Sequence, residues 1–307
     1  MYAKGDPRAT LATSAPKPAP TSFKEAQYAR FYETEPQEAG DRGRTWYARG
    51  QNLVVAYTDG KAGLELVRED QADEYVVLAP NAGTRVSITA GTLSETLDGP
   101  GLAFVPAGPS TVRLLGDGVV VRLVTTRNAD IASRCSNAAA YAAPDPNVAP
   151  FEPWPAPVET RIHVYSLDVP DTPGRFGRIF RGSTVMVNAF QAVGPRDTTR
   201  MSPHHHDDFE QYSLCLEGSY IHYLRWPWTT DLANWLPEQA ERCDAPSVAV
   251  ITPPATHTSR SMAPQRNVLV DIFSPPRADF SAKPGWILNA DDYPLPASPA
   301  LPDRSKT

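Results

Sequence analysis

Apolar positions along this chain fall in short runs of strand length rather than at helical spacing. Between residues 44 and 127 the segments RTWYARGQNLVVAYTDG, EYVVLAP, TRVSITAG, GLAFVPAG, STVRLLGDG and VVVRLVTTR follow one another, each rich in β-branched residues and separated by Gly, Pro, Asn or Asp. Such runs, bounded by residues that favour turns, predict antiparallel strands. The rhythm stops at residue 128, where an Ala-rich stretch and then closely spaced prolines suit a semi-extended connector. It resumes with TRIHVYSLDV and runs to QRNVLVDIFSPP, ending at residue 276. The pattern therefore divides the chain into an N-terminal arm (1–45), a first β-domain (46–127), a linker (128–158), a second β-domain (159–276) and a C-terminal tail (277–307). The arm's first twenty-five or so residues are expected to carry no chemistry. Within the second domain, residues 225–246 break the rhythm, and TTDLANWLPEQAER predicts a short helix over one end of that domain. The three tryptophans of this insertion are expected to fill an apolar cap or a subunit interface.

The halves resemble each other. DEYVVLAPNAGTRVSI (73–88) parallels EQYSLCLEGSYIHYL (210–224), and GLAFVPAGPSTVRL (101–114) parallels SVAVITPPATHTSRS (247–261). The repeat implies a duplicated domain.

Composition narrows the function classes. With 29 Lys and Arg against 35 Asp and Glu, and no long basic run, nucleic acid is excluded as an expected partner. Cys135, Cys215 and Cys243 form neither a CxxC pair nor a disulfide framework, which fits a reducing compartment. No run approaches the roughly 18 apolar residues of a membrane span. A soluble, cytoplasmic protein without membrane contacts is expected.

Candidate chemistry lies in MSPHHHDDFEQYSLCLEG (201–218). On extended chain His204 and His206 face the same side, about 6 to 7 Å apart, while His205 points away. The same alternation starting at Gln211 places Ser213 and Cys215 on one face. Starting at Glu210, it places Tyr212, Leu214 and Leu216 there instead. His257, in ITPPATHTSRS, supplies a further imidazole. Two strand-borne histidines, an amide or carboxylate and a distant histidine form an N/O donor set for iron, manganese, nickel, copper or zinc.

These residues resemble the first motif of the cupin superfamily, G(X)5HXH(X)3,4E(X)6G, at His204, His206 and Gly218. Its acidic position falls on Gln211, with Glu210 as the alternative. The second motif is matched at His257 but lacks its usual proline, glycine and asparagine. In the first half Thr111 stands at the histidine position, and the HXH counterpart falls near Leu66 and Arg68. The resemblance implies a bicupin: two tandem antiparallel β-barrels of the jelly-roll, double-stranded β-helix type, the first degenerate and metal-free. The second would bind one divalent transition metal, Fe(II) being favoured, through His204, His206, Gln211 and His257. A homodimer is the expected assembly.

Cupin barrels host many reactions, so fold alone names none. A neutral ligand set leaves the ion its full charge and favours an anionic, chelating small molecule. The first expectation is a non-haem iron dioxygenase acting on a small oxygenated acid or ketone. The alternatives are a redox-neutral isomerase, lyase or decarboxylase, and a binding or sensor protein without turnover. Tyr212 and His222 are the candidates for moving a proton, and Arg225, Arg260, Ser213 and Cys215 for touching substrate.

Overall fold

The computed structural model describes residues 6–11 and 22–296. The expected all-β architecture is present as two antiparallel units, each built of a large and a small sheet. In the first unit the large sheet runs in the order His163–Ser166, Gly101–Val105, Tyr75–Ala79, Gly118–Thr125, Leu53–Gly60, Gly43–Arg49, Glu38–Gly40. Its small sheet holds Glu65–Arg68, Ser110–Leu114, Arg85–Ala90 and Leu93–Asp98. The second unit has the large-sheet order Gln27–Arg30, Ser247–Ile251, Gln211–Glu217, Arg266–Phe273, Met186–Val193, Arg178–Arg181. Its small sheet is Gln239–Asp244, Ser219–Arg225 and Thr256–Ser261.

Alternation along the central strands gives each large sheet two buried faces. Val121 and Leu123 point into a shared core with Leu53, Tyr212, Leu214, Val250 and Ile272, whereas Val120 and Val124 point into the first barrel. The two large sheets thus pack face to face, and the opposite faces line the barrel interiors. Gly218, at φ +80°, makes the tight turn between Gln211–Glu217 and Ser219–Arg225, where a Cβ would meet Arg266 O and Asn267 Oδ1.

The boundaries differ from a simple tandem arrangement. Gln27–Arg30, in the expected arm, pairs with Ser247–Val250 of the second barrel, and His163–Ser166, expected to open the second barrel, pairs with Gly101–Phe104 of the first. Each unit therefore lends the other an edge strand, which satisfies backbone groups that would otherwise lie open. Glu38–Gly40 and Gly43–Arg49, in or beginning in the expected arm, also join the first barrel. The linker is folded onto its neighbours: Ala129–Ala132 is helical, and Ile131, Ala132 and Cys135 fill the first barrel's interior cluster.

The insertion at 225–246 forms no α-helix over a barrel mouth. It holds a single 3-10 turn, Leu232–Asn234, and the strand Gln239–Asp244. Trp226 is buried against Leu224, Ala26 and Ile251, but Trp228 (77 % exposed) and Trp235 (38 %) stack on each other at 4.6 Å. Trp286 and Tyr293 anchor the tail, Tyr293 donating a hydrogen bond to Glu74 Oε2 at 3.0 Å. The end of the tail, and residues 1–5 and 12–21 of the arm, lie outside the described residues. Among those described, no helix is long and apolar enough to cross a membrane.

Candidate metal centre

His204 and His257 come together through a two-residue antiparallel bridge, each backbone N–H donating to the other's carbonyl at 3.1 and 2.7 Å. His206 follows two residues on. The three rings stand 4.5 to 5.1 Å apart by centroid, and one donor atom from each lies within 4.8 Å of the others. His204 Nδ1 is 3.0 Å from Ser202 O, and His257 Nδ1 is 2.9 Å from Ala255 O. A carbonyl only accepts, so each Nδ1 carries the proton and each Nε2 turns a lone pair inward. His206 is held by stacking on Phe209 at 4.5 Å, and its Nε2 is 3.1 Å from Gln211 Oε1. His205 is the outward member of the triplet, exposed and 3.4 Å from Asp207.

The choice between Glu210 and Gln211 follows from strand alternation. Gln211 opens its strand facing the barrel interior, with Oε1 also 3.4 Å from His257 Nε2. Its amide donates to Ser213 Oγ at 3.0 Å, and Ser213 donates to Asp271 Oδ1 at 2.7 Å. This chain fixes which end of the amide is oxygen and aims that oxygen at the histidines. Glu210 turns to the opposite side. Its Oε2 accepts from Gln51 N–H at 2.6 Å and from the Tyr212 hydroxyl at 2.8 Å, and that hydroxyl accepts from Leu53 N–H at 3.2 Å. Gly50 makes room for this contact between barrels, because a Cβ there would collide with both side chains. Three imidazole nitrogens and one amide oxygen thus converge, and this donor set fits a divalent transition ion.

Burial governs the electrostatics. Loss of water holds the His204 and His206 imidazoles well below the usual histidine range, and brings His257 down to about 4, so all three are neutral and able to bind an ion near neutral pH. Burial likewise pushes Asp271 up to about 6 and Glu210 up to about 7. The centre opens onto a cavity of about 370 Å3, walled by Phe176, Tyr220, Leu269 and Asp271 and closed on one side by Asp6 and Arg8. That volume suits a small molecule.

Several expected roles move. Tyr212 is fully buried between the barrels, facing Glu210, because its parity on the strand is opposite to that of Gln211. Arg225 pairs with Glu238 on the surface, and Arg260 lies across from Ile221 on the outward face; neither lines the cavity. Ser213 serves the centre by holding Gln211. Cys215 packs with Tyr220 and Leu269, and burial pushes its thiol up to about 12, which keeps it an inert core residue. His222 is wholly buried, with Nδ1 2.8 Å from Ser259 Oγ, and burial brings it down to about 3. His163 is a structural histidine, contacting Glu159 O and Tyr165.

Sequence reasoning missed Arg8 and Asp271. Arg8 comes from the segment Asp6–Leu11, which Leu11 seats on the Phe176 and Phe280 cluster. Its guanidinium lies 4.3 Å over Phe176, pairs with Asp6, and brings Nη1 to 3.3 Å from His204 Nε2. Nothing in the arm's composition signals this. Asp271 does leave a trace, a lone acid inside the apolar run VLVDIF.

By sequence, no family model and no curated protein matches the chain. Among solved structures, an oxalate decarboxylase variant from Bacillus subtilis superposes with a TM-score of 0.55 at 13% identity, covering 83% of this chain and 78% of that one. The formate complex of Lactobacillus farciminis oxalate decarboxylase gives 0.52 at 12%, covering 86% and 88%. The fold is that of the cupins, in two tandem copies. A third similar cupin, AerE from Microcystis aeruginosa, gives 0.53 at 9%, covering 79% of this chain and 97% of its own. In the first barrel, Leu66 and Arg68, near which the sequence motif would place its histidine pair, are both buried.

Proposed function

We propose that the chain is a metal-dependent cupin enzyme that acts on a small carboxylic acid by redox-neutral chemistry, of the decarboxylase or lyase class. The observation that carries this reading is the convergence of His204, His206, His257 and Gln211 beneath a small cavity into which the Arg8 guanidinium projects beside His204. A bound Fe(II) or Mn(II) would supply Lewis acidity to a chelating carboxylate. Arg8 is placed to take a carboxylate oxygen, and Asp6 holds its guanidinium plane in position. Phe176 and Leu269 keep water from the substrate's carbon atoms. Asp271 lines the cavity as its buried carboxyl, raised to about 6 by burial, and in its protonated form would deliver the proton that takes the place of a departing carboxyl group. The relation in fold to oxalate decarboxylases accords with this substrate class.

A second reading, non-haem iron dioxygenation of a small oxygenated acid or ketone, is favoured by the ligand count, since four protein donors leave two positions on an octahedral ion. One experiment separates the two. The full chain is reconstituted with Fe(II) or Mn(II), and carbon dioxide and dissolved oxygen are followed after oxalate, malonate or a 2-oxo acid is added. Carbon dioxide released without oxygen uptake is the expected result. Stoichiometric oxygen uptake establishes the second reading, and a loaded protein that changes none of these acids overturns the first.

A further inference from the structure

The first barrel has a cavity of its own, of about 550 Å3, open to solvent past exposed Glu65, Val67, Glu69 and Asp70, whose lining includes Tyr47, Leu66, Arg68, Arg122, Ile131 and Arg134. Two of its three arginines are neutralised. Arg68 donates to Asp130, Asn128 and Gln71, and Arg134 pairs with Glu38. Arg122 is different. It sits on Gly118–Thr125 between Val120 and Val124, the two valines that fill the barrel interior, and is 4% exposed. Among the described residues no carboxylate forms an ion pair with it, and its Nε is buried without a hydrogen-bond partner. The polar group against its guanidinium is the neutral Tyr47 phenol, which in turn donates to Glu38 Oε2 at 2.8 Å.

A guanidinium cannot shed its proton in a protein, so this charge persists inside the barrel, where an uncompensated ion is strongly disfavoured. A cavity around it gives a counter-anion somewhere to bind. We propose that the first barrel is a binding site for a small monocarboxylate, anchored on Arg122. The planar fork of donors matches a carboxylate. Leu66 and Ile131 offer apolar surface for the remainder of such a molecule, and the volume lies in the range of small-molecule pockets. Glu65, Glu69 and Asp70 also border the cavity and repel a dianion such as phosphate more than a singly charged acid. This site is independent of the histidine centre in the other barrel.

The test uses the full chain after chelator treatment, so that no ion in the second barrel binds the probe. Isobutyrate, and phosphate at matched ionic strength, are titrated calorimetrically and by thermal melting. One-to-one isobutyrate binding, a Tm that climbs with isobutyrate and at least a tenfold weaker affinity in Arg122→Met are expected. Without added carboxylate, Arg122→Met should melt at or above the parent temperature, because it removes a buried charge that lacks a counter-ion. Arg122→Lys keeps the charge without the fork, should also bind isobutyrate about tenfold more weakly, and serves if the methionine variant does not fold. No isobutyrate binding to the parent chain overturns the proposal, as does unchanged affinity in either folded variant. Tighter binding of phosphate than of isobutyrate overturns the assignment to a monocarboxylate.

Discussion

Arg8 Nη1 lies 3.3 Å from His204 Nε2, the nitrogen whose lone pair faces the other two histidines. An N–H of Arg8 and a metal ion would use that same lone pair, and the two cations also repel. Arg8→Met should therefore tighten metal binding, by roughly tenfold for one lost charge-assisted hydrogen bond. It should also weaken binding of malonate to the loaded protein. Chelator competition measures the first effect and calorimetry the second. A metal affinity that falls on removing Arg8 would refute the competition.

His257→Ala removes one of three convergent imidazoles and should abolish metal binding, read as metal content after dialysis. His205→Ala alters an exposed ring paired with Asp207 and should leave the content unchanged. The opposite pattern would show that the triplet is inserted the other way round.

Gln211 depends on Ser213 for its orientation, since that hydroxyl accepts a hydrogen bond from the amide N–H and donates one to Asp271. Ser213→Ala leaves the amide free to turn, and such supporting contacts are worth about 10-fold to 100-fold in metal affinity. Ser213→Thr keeps the hydroxyl and should restore most of it. Loss of affinity in both variants would point to packing in place of orientation.

Glu210 faces the other barrel and should not affect metal content when changed to glutamine, but it should affect how stability varies with pH. Its carboxyl is raised from 4.5 to about 7 by burial, so folding favours the protonated form. Its stabilising effect is complete below pH 4.5, declines as pH rises, and is gone above about 7. At about 1.4 kcal/mol for each pH unit between those values, the loss is of the order of 3 kcal/mol. Denaturant unfolding across that range should show the decline in the parent chain and a flatter profile in Glu210→Gln. Equal slopes would mean that Glu210 is ionised throughout.

Much of the centre was legible because strand chemistry is periodic. His204 and His206 two apart, with His205 between them, announced two inward rings and one outward ring. The same periodicity left Glu210 and Gln211 tied, because either residue could begin the inward series. Tertiary packing broke the tie: the face bearing Tyr212 and Leu214 met another sheet, and only Gln211's face met the cavity. Arg8 was invisible, since a position in the fold that depends on Leu11 docking some 270 residues away leaves no local pattern. Arg122 and Asp271 were visible as single charges within apolar strand runs, VVVRLV and VLVDIF, which signals a group the interior must accommodate but not what accommodates it. The helix expected in the tryptophan insertion stops at the single turn Leu232–Asn234, because Pro237 cannot continue it and Trp228 and Trp235 cover each other.

Gln27–Arg30 and His163–Ser166 each close a sheet belonging mainly to the other half of the chain. Cutting the chain at the linker therefore would not yield two independent modules. Each fragment would carry a strand with no sheet to join and a sheet with a raw border, open to pairing with any other extended chain. With its edge strands exchanged in this way, the chain is expected to be expressed and to fold only as a whole.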